Sequence, residues 1–505
     1  MFFVLAATII IFLVIFYAGV IFRGSKWQRP PLPPGPPGKP FIGNLWDLSS
    51  PDKQDWEHFF NLKERYGPIC YMNIAGQPLV MLNDGRLALQ LLEKRSSIHS
   101  SRPAHPFLDI AWNDQVSFSF QRNSISRGRT SLTKTFEGSK RISESYKKAG
   151  AIILKIVYGY TIEPHRPDPL VNLADQAMQG FSIAFSSTTW AVNFMPILGS
   201  LPAWFPGAGF IKLAQRFKTD ALALADIPHD IVTQQMKDGT FSPSFLSEVL
   251  QKHPVKPGSK EETILKWSAG SMYAGGSDTT VSSISCFFLA MALFPEVQHK
   301  AQEEIDSVIG DDQLPQSEDR KPLPYIDAVV KEVLRWHPVL PVNVPHVSTQ
   351  DDVCEGFFIP KGSWVMANIW GITHDPSNYD EPMSFKPERF LDSESVDGHS
   401  PAPDPHRLVF GFGRRACPGR ILTDENIFLT VAQCLAVFNI SKPVENGKVQ
   451  KITAAFTSGL ISHPMSYKLS ILPRSENHRS LVEFLEIRYP WEDSHAELLA
   501  SVSKA

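Results

Sequence analysis

The residues best suited to chemistry lie near the C-terminal end, in the stretch 410–419 (FGFGRRACPG). Glycines and a proline surround Cys417 there, directly before a segment, 421–438, whose apolar spacing predicts a helix. A cysteine at a helix N-terminus has its thiolate stabilised by free backbone N–H groups and by the positive end of the helix dipole. Cys417 therefore has the surroundings that an anionic metal ligand requires. A buried free cysteine is the structural alternative.

A second group of charged residues has the spacing of a buried ion cluster. Glu332 and Arg335 are three positions apart, so they share one helix face and can pair with Arg389. Such a cluster fixes how segments meet and adds little net stability, although removing one partner would leave a buried charge unpaired. We therefore predict that these three residues are structural and have no catalytic role.

Long helical patterns must position these residues, because they dominate the middle of the chain. Strand-like segments come earlier, at 69–74 and 78–82, so the fold class is mainly α with a minor β part. One long helix is predicted over 262–294, where a proline ends it, and another over 324–336. Apolar residues alternate around a Pro-Lys-Gly turn in 356–368 (GFFIPKGSWVMAN), which predicts a β-hairpin there.

Composition limits the classes of partner and compartment. The 505 residues are within reach of one large helical domain plus an anchor. A net charge of −3 gives no reason to expect a nucleic acid held by bulk electrostatics. The five cysteines lie far apart without a C-x-x-C pair, which argues against a zinc cluster and against a secreted disulfide framework. A reducing compartment is predicted.

The N-terminus has the length and composition of a membrane anchor. Residues 3–22 form an uncharged apolar run long enough to span a bilayer as a helix. The alternative is a cleaved signal peptide, but the run is long for one and has neither a basic start nor a small-residue cleavage site. Arg23, Lys26 and Arg29 follow it, so the positive-inside bias predicts a single-pass protein with a cytosolic domain.

Proline composition separates this predicted anchor, 1–22, from the body. Residues 23–40 form a basic and Pro-rich linker whose end (PPLPPGPPGKP) favours a stiff, extended chain. A spacer at the lipid surface is predicted, and a polyproline ligand for another protein is the alternative. The body extends over 41–473, and a polar C-terminal tail, 474–505, has no predicted function.

The spacing of Phe410, Gly413, Arg415, Cys417 and Gly419 resembles the haem-binding signature of the cytochrome P450 family. This resemblance implies the cytochrome P450 fold preceded by one N-terminal transmembrane helix. It also implies haem b as cofactor, with the signature residues surrounding it and Cys417 as the axial thiolate ligand of the iron.

Three further segments match the family in its order: 275–280 (GGSDTT), 332–335 (EVLR) and 387–390 (PERF). The anchor and the Pro-rich start resemble the eukaryotic microsomal branch, so the resemblance covers about residues 1–473. It assigns the ion cluster of Glu332 and its arginines to folding and haem retention.

The GGSDTT segment is implied to handle protons. Thr279 would donate to dioxygen at the haem and Asp278 would pass protons inward, before the O–O bond breaks. Gly275 and Gly276 lower helix propensity, which only a tight backbone approach or a local distortion would justify. A cap-like polar cluster inside a long helix is the alternative for these residues.

The haem propionates need cationic or donor groups, and the matching positions are Arg415, His346 and Arg129. Where the family has a tryptophan four residues before the last of these, this chain has Ile125, so an N–H donor is absent. The span between 136 and 156 is also short by about one ordinary helix. A mis-spliced gene or a degenerate copy would explain both departures, and they predict weak haem retention.

Apolar segments are implied to line the substrate pocket, at 107–112, 269–274, 339–344 and 456–461. They predict a hydrophobic substrate of moderate size, with plain core packing as the alternative. The segment 194–211, rich in Phe, Pro and Gly, would dip into the membrane or pack in the core.

The resemblance implies a fungal-type monooxygenase of the endoplasmic reticulum membrane, closest to enzymes of secondary metabolism. Such an enzyme takes electrons from NADPH-cytochrome P450 reductase, a flavoprotein, and inserts one atom of O2 into an apolar small molecule. Terpenoid, polyketide-derived and indole-derived substrates stay open, because fold does not determine function. Two alternatives are a haem-thiolate isomerase or dehydratase, which needs no relay such as Asp278 and Thr279, and a catalytically inactive membrane protein, which the change at Ile125 favours.

Overall fold

The computed structural model describes residues 29–49, 54–112, 145–185, 190–193, 195–391 and 401–499. The predicted anchor, Ile125 and Arg129 lie outside these ranges. Within them, no single helix has the length and hydropathy needed to cross a membrane. The consecutive helices Lys260–Leu293 and Pro295–Val308 meet that requirement only as a pair, and they are bent by 104°.

Helices make up most of the described chain, which confirms a mainly α fold. The described helices are α1 (Asp55–Tyr66), α2 (Gly85–Ala88, continued by a π-helical turn at Leu89–Lys94), α3 (Pro106–Trp112), α4 (Ser145–Tyr158), α5 (Pro169–Ala184), α6 (Gly209–Asp238), α7 (Phe245–Lys252), α8 (Lys260–Leu293), α9 (Pro295–Val308), α10 (Pro324–Trp336), α11 (Ile369–Thr373), α12 (His406–Val409), α13 (Arg420–Val437) and α14 (Glu476–Arg488).

Within the described residues, the strands form one four-stranded sheet and three two-stranded ones. The larger sheet has the order β1-β2-β6-β3, and the small sheets pair β4 with β5, β7 with β10, and β8 with β9. Among these described strands, only β2 and β6 pair in parallel. The described strands are β1 (Ile69–Ile74), β2 (Gln77–Leu82), β3 (His346–Val347), β4 (Asp352–Cys354), β5 (Phe357–Ile359), β6 (Trp364–Ala367), β7 (Phe438–Ser441), β8 (Val444–Glu445), β9 (Lys448–Val449) and β10 (Ser470–Pro473).

Helix α8 runs through two hydrophobic cores, and its central residues lie between them. Its first half, around Leu265 and Tyr273, packs with α3 to α6. Its second half, from Ile284 onward, packs with α9, α10 and α13. At 34 residues it is about 50 Å long. The segment 275–280 is therefore placed at the boundary between the two halves of the protein.

The helices and early strands predicted from local patterns are confirmed. The long helix predicted over 262–294 is α8, whose start is capped by the Ser259 side chain accepting from Glu262 N–H. The helix predicted over 324–336 is α10, and the segment after Cys417 is α13. Apolar periodicity and proline stops are local signals, so they survive in the folded protein.

The hairpin predicted around 360–362 is wrong in its pairing. Both predicted strands exist, but β5 pairs with the preceding β4 and β6 pairs with β2 and β3. The tight turn lies instead at Glu355 and Gly356, which have φ values of 49° and 78°. Two consecutive residues with positive φ match the twist of a two-residue hairpin, which the Pro-Lys-Gly segment cannot supply.

The Pro-rich segment lies against the body. Its described part contains no helix, as proline composition predicts, but Pro31 O accepts from Phe358 N–H and Pro34 O accepts from Tyr71 N–H. A Cβ on Gly35 would come within 1.8 Å of Tyr71 O, so glycine is required by this close approach. These residues extend the body toward the N-terminal end of the chain.

Candidate active site

The loop that carries Cys417 ends at α13. The Cys417 N–H donates to Phe410 O at 2.7 Å, which closes the loop on itself. Burial raises the pKa of the Cys417 thiol, while the Gly419 N–H and the charge of Arg420 oppose that rise. A bound cation therefore has to supply the remaining stabilisation of the thiolate, as metals do for their cysteine ligands.

Glycines allow this loop to lie close to α2. Gly411 and Gly413 have φ values of 74° and 52°, in the left-handed region. A Cβ on Gly413 would meet Leu92 O at 2.8 Å and Ser96 Cβ at 2.7 Å. Any other residue at position 413 would thus be strained in its backbone and would push the loop away from α2.

Two arginines converge beside this loop. Arg415, two residues before Cys417, donates from Nε to Ser100 O at 2.9 Å. Arg102 donates from Nη1 to Val344 O and Pro345 O, both at 2.8 Å. Its buried Nε has no hydrogen-bond partner in the described part of the chain. Burial and the nearby charge of Arg415 lower the pKa of Arg102, so an anion at this place would relieve both costs.

His346 reaches the same place in a neutral state. Its Nδ1 is 2.5 Å from His99 O, and because a carbonyl only accepts, Nδ1 carries the proton. Burial and the charge of Arg102 lower the pKa of His346 to about 3. Nε2 is then a lone-pair acceptor, so His346 can donate to a carboxylate only after a second proton binds. Arg102 is the better donor.

Arg102 is missing from the candidates that local sequence patterns supply. It stands alone in a loop, followed by Pro103, and the chain contains 49 lysines and arginines. Only its burial beside Arg415 distinguishes it. Arg129 and Ile125 lie outside the described residues, so their predicted place at the haem edge stays a prediction.

The centre of α8 presents an open face. Gly275 is exposed, and a Cβ there would find no atom within 4 Å. On the opposite side, a Cβ on Gly276 would come within 2.8 Å of Ile153 on α4, so the tight approach predicted for the glycines is present. The helix is continuous, and the predicted distortion is absent there. The Thr279 hydroxyl, one turn on, donates to Gly275 O at 2.6 Å.

Asp278 and Thr279 have different partners in this structure. Asp278 Oδ1 is 3.0 Å from His463 Nε2. His463 lies in the loop between β9 and β10. Both side chains are largely covered, with 14% of Asp278 and 30% of His463 exposed. Asp278 and Thr279, which are predicted to act on protons, thus both lie in α8. The Asp278 carboxylate pairs with a histidine that is far away in the sequence.

The predicted ion cluster is present, with Glu332 and Arg335 fully buried and Arg389 partly buried. Arg335 donates to Glu332 from Nε at 2.7 Å and from Nη2 at 2.9 Å, and Arg389 Nε is 3.3 Å from Glu332. Lys386 N–H also donates to Glu332 at 2.7 Å. Glu332 therefore joins α10 to the segment 386–390. Burial and the charge of Arg335 lower the pKa of Arg389, and the Glu332 carboxylate opposes that change.

The predicted pocket and membrane segments differ in burial. Segment 107–112 forms α3, where Phe107 is fully buried and stacks on Trp190 at a centroid distance of 3.9 Å. In segment 195–211, by contrast, Ile197 and Trp204 are about four-fifths exposed, at 79% and 80%. Ile197 and Trp204 therefore do not pack in the core, which was the alternative predicted for this segment.

These residues fit a haem group. Cys417 offers a sulfur ligand, and Arg102 with the half-buried Arg415 offers charge-assisted donors to carboxylates such as the two propionates. The unpartnered Nε of Arg102 is the observation that carries this fit, because a buried guanidinium N–H requires an acceptor. The open space beside Gly275 leaves room for such a group next to α8.

Comparison with known proteins agrees with this chemistry. Residues 33–177 and 169–471 match the model of the Cytochrome P450 family. The chain is 44% identical to cytochrome P450 monooxygenase ppsD of Aspergillus oryzae, over 93% of this chain and 94% of that protein. It is 43% identical to cytochrome P450 monooxygenase claR of Ampulloclitocybe clavipes, over 91% and 89%. It is 39% identical to O-methylsterigmatocystin oxidoreductase of Aspergillus flavus, over 93% of each.

Proposed function

The chain belongs to the cytochrome P450 family and is a haem-dependent monooxygenase, and from this premise we propose that it hydroxylates or otherwise oxidises an apolar small molecule of secondary metabolism. When bound, the haem supplies the iron centre at which dioxygen is reduced and one of its atoms is transferred. The single observation that carries the proposal is the position of Cys417 beside two converging arginines and before α13.

The protein's own residues have separate tasks in this proposal. Cys417 ligates the iron, while Arg102 and Arg415 bind the propionates and orient the ring. Thr279 donates a proton toward dioxygen and Asp278 resupplies it. The open face at Gly275 provides room for the reaction. The apolar walls around α3 and the first half of α8 exclude water and admit a hydrophobic substrate.

The proposal includes a membrane site and a redox partner. We place the catalytic domain on the cytosolic face of the endoplasmic reticulum, anchored by 1–22, with electrons from NADPH-cytochrome P450 reductase. The apolar run 3–22 and the basic residues after it support this. The exposed side chains of Ile197 and Trp204 add apolar surface that a membrane would cover. Deleting 1–28 should move the protein from membranes to the soluble fraction and leave haem binding intact.

An isomerase or dehydratase is the second candidate, and the structure offers it less support. Asp278 and Thr279 are both in place on α8, and such an enzyme needs no proton delivery to dioxygen. An inactive protein is the third candidate, and it is supported by Ile125, which stands where the family has a tryptophan N–H donor. The relatives named as monooxygenases align over nine-tenths of the chain.

Labelled dioxygen separates these candidates. The full chain is reconstituted with haem and the reductase and screened by binding spectra against terpenoid, polyketide-derived and indole-derived compounds. A ligand that binds is then incubated with ¹⁸O-labelled dioxygen. We expect one labelled atom in the product and one in water. An unlabelled, rearranged product formed without reductase would instead establish an isomerase, and no product from any bound ligand would support the inactive protein.

A further inference from the structure

The carboxylate of Asp278 is paired with His463 rather than with its neighbour Thr279. The Asp278 Oδ1 to His463 Nε2 distance is 3.0 Å. His463 is the more exposed of the two, with 30% of its side chain in contact with solvent against 14% for Asp278. A carboxylate that gives away a proton in every turnover has to be reloaded, and this histidine is its ion-pair partner with the larger solvent contact.

The loop that carries His463 is held by two helices independently of this pair. Ser282, one turn after Asp278 on α8, donates to Ser462 O at 2.6 Å. Ser182 on α5 accepts from Ile461 N–H at 3.1 Å. The backbone next to His463 is therefore fixed on both sides, and the ring is positioned by these contacts. An ion pair is not needed to hold the loop.

Asp175 adds a third titratable group from α5. It is exposed to solvent and lies two helical turns before Ser182 on the same face. Desolvation by the surrounding protein and the charge of Asp278 raise the pKa of Asp175 to about 6, and His463 opposes the rise. Three groups from three elements thus influence one another electrostatically, and Asp175 exchanges protons with water close to neutral pH.

The other titratable groups around this cluster stay neutral. Burial, with a smaller contribution from His463, lowers the pKa of His337 to about 3. Burial also raises the pKa of Tyr273, which interacts with Asp175, well above its ordinary value. Among these groups, Asp175 is the one whose pKa is moved toward neutral pH.

Monooxygenation has a fixed demand for protons. Insertion of one atom of O2 releases the other as water, which consumes two electrons and two protons. The electrons come from the redox partner, so the protein has to conduct only protons. General acid catalysis by a positioned group contributes about 10²- to 10⁴-fold to such a step.

We propose that His463 is the positioning residue that reloads Asp278 with protons from solvent, with Asp175 as the outer acceptor and donor. The imidazolium form of His463 gives its Nε2 proton to Asp278 Oδ1 and becomes a neutral imidazole. Asp278 gives that proton to the Thr279 hydroxyl, which releases its own proton toward dioxygen. The His463 ring then regains a proton from water or from the Asp175 carboxyl. No electron moves in these steps, and the inference rests on the roles proposed above for Asp278 and Thr279.

The first test needs no turnover. Aspartate-labelled apoprotein is titrated by carboxyl ¹³C resonance or infrared difference spectra. We expect the Asp175 pKa to rise in His463→Gln, which removes a cationic neighbour, and to fall in Asp278→Asn, which removes an anionic one. An Asp175 titration that is unchanged in both variants would overturn the three-group site. Glutamine keeps a hydrogen bond to Asp278 but cannot carry a proton, so it preserves the loop.

The second test measures coupling in the haem-loaded enzyme. His463→Gln should lower the ratio of product to NADPH roughly 10-fold at neutral pH, raise peroxide release and increase the solvent deuterium isotope effect. His299→Gln is the matched control, because His299 pairs with Glu303 at 3.4 Å on the exposed face of α9. It should behave as the unaltered protein. Unchanged coupling and isotope effect in His463→Gln would overturn the inference.

Parallel variants separate this inference from the proposed function. If Asp278→Asn and Thr279→Ala lower coupling but His463→Gln does not, the relay through His463 is wrong and the roles on α8 stand. If none of the three lowers coupling, the roles on α8 are wrong as well. Should His463→Gln lose its haem, Asp175→Asn replaces it, since an exposed residue tolerates substitution. That variant should flatten the pH profile of coupling around pH 6, and an unflattened profile would overturn the inference.

Discussion

Arg102 is expected to be a major determinant of haem affinity, and its replacement by glutamine tests this. In the folded protein its guanidinium is buried beside Arg415, with two N–H groups on Val344 O and Pro345 O and an unpartnered Nε. A charge-assisted hydrogen bond of this kind contributes about 1.5 to 3 kcal/mol. Since 1.4 kcal/mol is a factor of ten, Arg102→Gln should weaken haem binding by about 10- to 100-fold.

In the absence of haem, Arg102→Gln should not destabilise the protein. The charge of Arg415 acts against the buried Arg102 guanidinium, so removing the Arg102 charge should leave the apoprotein as stable as before or slightly more stable. A residue that merely held the loop to Val344 and Pro345 would instead destabilise both forms. Thermal unfolding of the apoprotein therefore distinguishes propionate binding from a structural role.

The assay is the rate of haem transfer to excess apomyoglobin, together with the haem-to-protein ratio after purification. Arg86→Gln is the matched control, because Arg86 is exposed and pairs with Glu355 at 3.0 Å on the surface. An unaltered transfer rate in Arg102→Gln would refute the assignment. The same ratio tests the prediction of weak haem retention at Ile125: Ile125→Trp should recover part of the loss, and near-stoichiometric haem in the unaltered chain would show that the arginines suffice.

Three further predictions concern the ligand, the ion cluster and pH. Cys417→His should abolish the red-shifted Soret band of the ferrous carbonyl complex, and survival of that band would assign the iron to another residue. Glu332→Gln should destabilise the protein by about 3 to 5 kcal/mol in denaturant unfolding, because two buried arginines lose their counter-charge. Against the effect of burial, Asp404 and Asp424 raise the pKa of His406 to about 9. His406 should therefore contribute up to about 3 kcal/mol below pH 6.5, lost as pH rises through about 9, and His406→Gln should flatten that dependence.

Local signals explain where the sequence-based predictions succeeded. The helices α8, α10 and α13 and the strands β1 and β2 follow from periodicity and from prolines at their ends, which are read within one or two turns of chain. The predicted hairpin failed because strand pairing is a long-range property. Strand β6 finds its parallel partner in β2, nearly three hundred residues earlier, and no pattern within 356–368 contains that information.

The candidate site likewise contains residues that local spacing reveals and residues that only long-range packing reveals. The Cys417 loop, the Asp278 and Thr279 pair and the ion cluster of Glu332 all carry spacing that sequence can display, since their members are neighbours or share a helix face. Arg102 and His463 belong to no spacing pattern that the sequence can display. Each is a single residue in a loop, and each becomes significant only through a group more than a hundred residues away.

The sequence alone determined the family, the haem cofactor and the helices around the site, and it predicts Cys417 as the iron ligand, because those depend on residue type and short spacing. Tertiary structure alone decided the electrostatics: which arginine lies beside Arg415, that His346 is neutral, and that Asp278 points to His463. The physical reason is that desolvation and charge interactions depend on distance in space. Their size is set by whichever distant side chains the packing of α5, α8 and the loops brings together.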